Sequence, residues 1–175
     1  MARFDDLQQS LWDTGSDYGV QPPVTGQVIL EAERLLNVTL PSSLLGLLRH
    51  QNGGQVASSR NAFPTSRPNS WSADHVPFDS VLGIGHRERT ISLLDSPYLV
   101  EEWNLPTPVV LVSGDGPCWI GLDYRACGRH GEPSVTWFDA DDPSELTLAP
   151  DFRSFAEGLT SASRFESMNS DGSFG

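Results

Sequence analysis

The stretch that decides the fold is LPSSLLGLLRHQNGG, which runs from Leu40 to Gly54. Pro41 suits the first turn of a helix, where its missing N–H costs nothing. The helix gains a wide apolar face from four leucines, Leu44, Leu45, Leu47 and Leu48. Its end is predicted by residues that tolerate the left-handed backbone of a helix C-terminus, Asn52, Gly53 and Gly54. No lysine follows the glycines and no strand precedes them, so they do not form a phosphate-binding loop.

Two further helices are predicted before this stretch. In VTGQVILEAERLLNV, Thr25 is a good N-cap, and the apolar residues fall on one stripe of a helix. Because only a short linker separates it from the next helix, the two predict a compact helical hairpin. Closer to the N-terminus, a third helix is predicted by the spacing of Phe4, Leu7, Leu11 and Trp12.

The second half of the chain has the periodicity of strands. TPVVLVSGDGPCWIGLDY predicts two strands around a Gly-Asp-Gly turn. SVTWFDADD adds a third strand over Val135–Asp139, and three strands with short connections predict an antiparallel meander. APDFRSFAEGL then predicts a closing helix with Phe152 and Phe155 on one face.

The middle of the chain predicts a long loop. Residues 55–77 are rich in Ser, Arg, Asn and Pro, and we expect one short strand near Gln55–Ser58. A strand or a strand and turn is predicted over Val76–Gly85, followed by a helix over 89–103 that is interrupted near Pro97. A loop of this length within a compact domain is often functional.

Composition limits the classes of partner. The 175 residues suit one domain, and the net charge is −12, with 11 arginines and no lysine. This charge disfavours nucleic acid and anionic membrane surfaces as partners, and it favours a basic protein or a cationic ligand. Solubility alone also explains the acidity of many domains. The N-terminal sequence MARFDDLQQS has no apolar run, so we expect a cytoplasmic protein with reduced thiols.

The order of these motifs resembles the SUKH superfamily, which is typified by the fungal Smi/Knr cell-wall assembly regulator domain. The resemblance rests on Leu40-Pro41, Asn52-Gly53-Gly54, Leu122-Asp123, Trp137-Phe138-Asp139 and Phe152-x-x-Phe155. It implies a single α+β domain over residues 24–160, with a central, largely antiparallel sheet flanked by helices. Residues 1–23 are predicted to be an N-terminal helical extension. The serine-rich tail, 161–175, is predicted to be disordered.

The resemblance also implies a function. Most bacterial relatives are immunity proteins that bind and block a secreted polymorphic or contact-dependent toxin, often a nuclease, whereas fungal relatives are interaction hubs in cell-wall signalling. The family has no shared catalytic motif, so no catalytic residue carries over and no cofactor is expected. The resemblance therefore implies a non-enzymatic bacterial immunity protein, with a regulatory interaction scaffold as the alternative.

Candidate partner-binding residues come from two features of the sequence. The densest acidic run is Asp139, Asp141 and Asp142, with Glu145 nearby, and Asp115 and Asp123 join it if the meander forms. Such a run is either a solvated face or a docking surface for a basic toxin, and both interpretations stay open. Trp71 is a lone aromatic residue in the long loop, where it either anchors a partner or folds back onto the core. The predicted binding set is Trp71, Asp115, Asp123, Asp139, Asp141 and Asp142.

Metal binding and nucleophilic catalysis are disfavoured by spacing. Cys118 and Cys127 lie nine positions apart with His130 beyond, and no C-x-x-C or H-x-x-x-H occurs. The run D-A-D-D-P-S-E lacks the glycine and the ligand spacing of an EF-hand loop. The S-G-D-G turn beginning at Ser113 does not match the G-x-S-x-G nucleophile elbow, and a hairpin turn explains it better.

Overall fold

The structure is a computed structural model that describes residues 3–142 and 144–170. Its helices are α1 (Phe4–Ser10), α2 (Gly26–Leu36), α3 (Ser42–His50), α4 (Ser96–Glu102), α5 (Phe152–Gly158) and α6 (Ser163–Ser170). Its strands are β1 (Gly54–Gln55), β2 (Ala62–Pro64), β3 (His75–Pro77), β4 (Ser80–Val81), β5 (Val109–Asp115), β6 (Cys118–Asp123), β7 (Ser134–Asp139) and β8 (Ser144–Ala149). Among the helices in these ranges, none is both long enough and apolar enough to cross a membrane.

An antiparallel sheet of four strands, in the order β5-β6-β7-β8, forms the centre of the α+β fold. The predicted meander is confirmed, but the prediction of three strands was incomplete, since β8 pairs with β7 along its length. The signal for β8 was the alternation of Leu146 and Leu148 with Glu145 and Thr147, which the acidic run obscured. Two small antiparallel pairs, β1–β4 and β2–β3, lie outside this sheet.

The two faces of the sheet are covered differently. One face is part of the main core, to which β6 contributes Ile120 and Leu122. On the opposite face, Trp119 of β6 joins a smaller cluster with Leu99 and Val100 of α4. Successive side chains of β6 therefore lie on opposite faces of the sheet, as the two-residue period of a strand requires.

The N-terminal segment is part of the main core. Its four predicted apolar residues, Phe4, Leu7, Leu11 and Trp12, are all buried there. The backbone N–H of Ala57 donates to the carbonyl of Leu11 at 2.7 Å, and that of Asp13 donates to the carbonyl of Gln55 at 2.9 Å. Residues 3–13 are therefore held by the main domain through both apolar packing and backbone hydrogen bonds.

The end of α3 follows the prediction for the glycines but not for Asn52. Gly53 and Gly54 have φ angles of +86° and +126°, whereas Asn52 is not left-handed. Instead, its buried side chain donates from Nδ2 to the carbonyls of Pro22 at 2.6 Å and Ile84 at 2.8 Å, while Oδ1 accepts from the Ile84 N–H at 2.8 Å. Asn52 thus joins the end of α3 to two distant segments.

Three local predictions about helices were wrong. Pro97 does not interrupt a helix but lies in the first turn of α4, where proline is tolerated. Pro41 precedes α3, whose first helical residue is Ser42. The predicted hairpin does not form a closely packed pair of helices: α3 contacts α1 and α5, while α2 lies against the 3-10 turn Leu93–Asp95.

The tail also departs from its prediction of disorder over 161–175. Residues Ser163–Ser170 form α6, and the buried ring of Phe165 stacks on His75 with a centroid separation of 4.4 Å. A single aromatic residue within a polar, serine-rich segment gives little indication of an ordered helix in the sequence. Residues 171–175 lie outside the described residues.

Candidate partner-binding groove

An open groove of about 690 Å³ lies between the β5–β6 hairpin and the β1–β4 pair. The hairpin side includes Ser113, Gly114 and Asp115, and the other side includes Gln55 and Ser80. Cavities of roughly 300–1,000 Å³ are typical of ligand sites. The groove is therefore large enough to hold several side chains of a partner.

Exposed apolar side chains are concentrated along this groove. Tyr18 is 72% exposed, Trp71 is 56% exposed and Ile91 is 50% exposed, and all three line it. They are half of the large apolar side chains that are exposed among the described residues. Because Tyr and Trp are enriched at the centres of protein interfaces, this concentration favours a docking surface.

The loop that carries Trp71 is held in place. The Oδ1 atom of Asn69 accepts hydrogen bonds from the N–H groups of Trp71 at 2.8 Å and Ser72 at 3.0 Å. The hydroxyl of Ser70 accepts from the indole N–H of Trp137 at 3.2 Å. Trp71 is thus presented to solvent rather than folded onto the core, and a fixed loop loses little entropy when a partner binds.

One end of the groove is acidic. Cys118 lines the groove there, and the pKa of its thiol is raised to about 11 by burial and then by the negative charges of Asp139, Asp141 and Asp115. Burial opposes the ionised form of Asp139, but hydrogen bonds from Ser70 and from the backbone N–H groups of Asp142 and Asp141 hold its pKa below the ordinary value. Asp139 is therefore a carboxylate at neutral pH.

Asp79 is a groove residue that sequence reasoning missed. It lies between β3 and β4 and is one of the residues that line the groove. Burial raises the pKa of this carboxyl group, and no hydrogen bond or ion pair of its carboxylate occurs within 3–142 or 144–170. An isolated aspartate between two short strands gives no signal in sequence, because its importance depends on the cavity that the fold creates.

The predicted binding set is only partly brought together. Trp71 and Asp115 line the groove. At the acidic end of the groove, the negative charges of Asp139 and Asp141 raise the pKa of the Cys118 thiol. Asp142 belongs to the same turn, because its backbone N–H donates to Asp139 Oδ1 at 3.3 Å. The sixth residue, Asp123, is at the opposite end of β6.

Asp123 belongs to a separate ion-pair cluster. The guanidinium of Arg125 lies 2.8 Å from its carboxylate and 2.9 Å from that of Glu145. Burial would raise the pKa of Asp123, but the hydrogen bonds and charge of Arg125 prevail and lower it. Its charge is therefore largely neutralised within the protein.

The polar cluster of Ser72, Asp74 and His75 is not arranged as a catalytic triad. The hydroxyl of Ser72 and the carboxylate of Asp74 both approach Nδ1 of His75, at 3.0 and 2.8 Å. In a triad, the nucleophile and the orienting acid contact different ring nitrogens. Within the described ranges, no group of three or more His, Cys, Asp or Glu residues could hold a metal ion.

Comparison with known proteins identifies the fold family. A family model, SUKH_6, described as SMI1-KNR4 cell-wall, matches residues 27–155. The match includes every strand of the central sheet and the groove residues Trp71, Asp79 and Asp115, whereas Tyr18 precedes it. No curated protein matches the chain.

Proposed function

We propose, because this chain belongs to the SUKH superfamily of protein-interaction domains, that it is an immunity protein that binds and blocks a toxin. The single observation that carries the proposal is the groove, where Tyr18, Trp71 and Ile91 are exposed beside an acidic end. Stoichiometric binding is the mechanism, and the bound chain covers the active site or substrate groove of the toxin.

Electrostatics supports the first step of this mechanism. A net charge of −12 attracts a basic toxin domain, and opposite fields speed the encounter at low salt. The acidic end of the groove, made by Asp115, Asp139 and Asp141, then orients the partner. Salt screens this attraction within about 10 Å at ionic strength near 0.1 M, so association slows as salt is added.

Burial of apolar side chains supports the second step. Aromatic residues at the centre of an interface often contribute 2 kcal/mol or more, as a rough magnitude for each. Trp71 has the exposure and the fixed loop that such a residue needs. Its removal is expected to speed dissociation more than it slows association.

The alternative is a regulatory scaffold of the cell-wall regulator type. Exposed apolar side chains away from the groove favour it, namely Leu30 and Leu35 on α2 and Tyr98 on α4. A scaffold needs more than one binding surface, whereas an immunity protein needs only one. The number of partners therefore distinguishes the two functions.

A tagged pull-down from the native host, followed by mass spectrometry, tests the proposal. One stoichiometric partner with a basic toxin domain supports immunity, and co-expression should then abolish its toxicity. Several cell-wall or signalling proteins support the scaffold. If no partner is retained, or if co-expression leaves a captured toxin active, the immunity function is wrong.

Charge reversal tests the steering step separately. The variants are Asp115→Arg and Asp141→Arg, and the control is Glu31→Arg, an exposed acid on α2 outside the groove. We expect the association rate to fall about tenfold for the groove variants and to change little for the control. Equal rates in all three variants would remove the steering step.

A further inference from the structure

We propose that the groove binds one basic side chain of its protein partner, whose charge is neutralised by Asp79 and Asp115 while an adjoining apolar side chain packs on Trp71 and Ile91. The four residues line one groove. This inference rests on the proposed function and specifies the partner's chemistry: an arginine or lysine next to an aliphatic residue in an accessible segment.

The Asp79 carboxylate is partly desolvated and has no partner within the described residues. The backbone at this residue is fixed, because the N–H of Val56 donates to the Asp79 carbonyl at 2.9 Å. Asp79 is exposed at the groove, yet its surroundings desolvate the carboxyl group enough to raise its pKa, and it has no cationic partner among the described residues. A carboxylate that is partly removed from water without a partner is unfavourable, and a bound cation relieves that cost.

Other carboxylates show how this chain normally satisfies such groups. Asp123 pairs with Arg125, Asp139 accepts backbone N–H bonds, and Asp74 is hydrogen-bonded to His75. Two more accept backbone N–H groups at helix starts, Asp95 and Asp151. Asp79 differs from all five, because its carboxyl group is partly desolvated in the groove and has no hydrogen bond or ion pair within the described residues.

The charge balance of the groove favours a cation. Asp79 and Asp115 line it, and the negative charges of Asp139 and Asp141 reach the thiol of Cys118 at one end. Arg89 is the one basic residue in the lining, and it lies on the loop with Ile91. Four carboxylates against one guanidinium leave a negative field that attracts a basic group.

The exposed apolar rim favours a polypeptide over a small ion. Tyr18, Trp71 and Ile91 offer surface that a free cation cannot cover. An arginine or lysine stem is itself apolar, so it packs along such a rim while its charged head reaches the carboxylates. An adjoining leucine or similar side chain fills the remaining space.

Two short peptides test this inference on the full chain. The probes are acetyl-Ala-Leu-Arg-Leu-Ala-amide and the same peptide with citrulline, a neutral group of nearly the same shape, in place of arginine. Heteronuclear NMR of the isotope-labelled protein follows the indole N–H of Trp71 and the backbone of residues 113–118. We expect saturable shifts at these positions with the arginine peptide and about tenfold weaker binding of the citrulline peptide.

The variant Asp79→Asn separates binding from folding. It should weaken binding of the arginine peptide several-fold, toward the affinity for the citrulline peptide, since only Asp115 then remains to neutralise the charge, while the control Asp5→Asn, an exposed acid of α1, leaves the affinity unchanged. Because Asp79 is unpaired, Asp79→Asn should keep or raise the melting temperature, so lost binding cannot be ascribed to unfolding. Equal affinity for both peptides, shifts outside the groove, or no shift at millimolar peptide overturns the inference.

The inference and the immunity function can fail independently. If a captured toxin binds wild type and Asp79→Asn equally well, the immunity function stands and the inference is wrong. If no toxin is found but the arginine peptide binds with the expected selectivity, the inference stands and the immunity function is wrong.

Discussion

The hydroxyl of Ser70 accepts a hydrogen bond from the buried indole N–H of Trp137, with 3.2 Å between the two atoms. The same hydroxyl donates to the carboxylate of Asp139 and helps to lower its pKa. Ser70 therefore connects three features of the candidate site: the loop that carries Trp71, the floor of the groove and its acidic end. One small polar side chain sets the position of the aromatic residue relative to the charges.

Removal of this hydroxyl should loosen the loop. In Ser70→Ala, the Trp137 N–H loses its partner, and we expect the free energy of unfolding to fall by about 1 kcal/mol. Urea unfolding measures this change, and binding of the partner should weaken as Trp71 becomes less ordered. Ser66→Ala is the control, since Ser66 is an exposed residue of the same loop. Equal stability of the two variants would contradict a structural role for Ser70.

Two glycines should respond in opposite ways to alanine. A Cβ on Gly53 would lie 2.6 Å from the backbone nitrogen of Gly83, and its φ of +86° is unfavourable for alanine. We expect Gly53→Ala to lower the free energy of unfolding by about 2 kcal/mol or more. Gly26→Ala places its Cβ in open space in the first turn of α2, so it should stabilise by up to about 1 kcal/mol. Thermal unfolding tests both, and similar melting temperatures would contradict the argument.

The parts of the fold that the sequence predicted are those with a strong local period. The four leucines of α3 and the paired phenylalanines of α5 each indicate burial directly, and all are buried as expected. Along β6, in contrast, burial extends to both faces, because Trp119 packs in the smaller cluster with α4. Asn52 shows the limit, because its partners Pro22 and Ile84 are about 30 residues away in the chain. No local pattern reports such a contact.

The candidate site was less predictable than the fold. Trp71 was found because a large aromatic residue is conspicuous in a polar loop, and Asp139 because it lies in an acidic run. Asp123 appeared equivalent to Asp139, yet a strand places its two ends far apart, and Arg125 neutralises it. Asp79 was missed because only the packing of the β1–β4 pair beside the β5–β6 hairpin creates the groove around it.

Asn52 should be among the least replaceable residues. Asn52→Ala removes three hydrogen bonds and leaves buried polar groups of Pro22 and Ile84 without partners, which should cost about 3 kcal/mol. Asn52→Asp keeps the acceptor but places a carboxylate against two carbonyls, so it should be at least as destabilising at neutral pH. Denaturant unfolding measures the free energy of unfolding of both variants, and Gln9→Ala, at an exposed position of α1, is the control. A loss of stability no larger than that of the control would contradict the view that Asn52 joins these segments.

The ion pair of Arg125 should make stability depend on pH. Asp123 has a folded pKa below its ordinary value of 3.8, so its stabilising effect is present above that pH and is lost as the pH falls through the lower folded value. In Arg125→Gln, burial without a partner would raise this pKa, and we expect a loss of about 1–2 kcal/mol at pH near 7. The loss should shrink toward pH near 3, where Asp123 of the variant, no longer held ionised by Arg125, becomes protonated.

Urea unfolding at the two pH values measures this effect. Arg153→Gln is the matched control, because Arg153 forms an exposed pair with Glu157 within α5, and such pairs contribute roughly 0.5 kcal/mol or less. A deficit for Arg125→Gln that is independent of pH, or no larger than that of the control, would show that Asp123 is not held by this pair.

The thiol of Cys118 reports the negative field of the groove. With its pKa near 11, the thiolate fraction at pH near 8 is about one in a thousand, so iodoacetamide should modify it about a hundredfold more slowly than an unperturbed thiol. Asp139→Asn should speed the reaction several-fold by removing the nearest negative charge, although burial continues to protect the thiol. Mass spectrometry of the Cys118 peptide measures the rate, and the urea-unfolded chain is the control. A rate for folded Asp139→Asn equal to that of the folded wild type would contradict the acidic end of the groove.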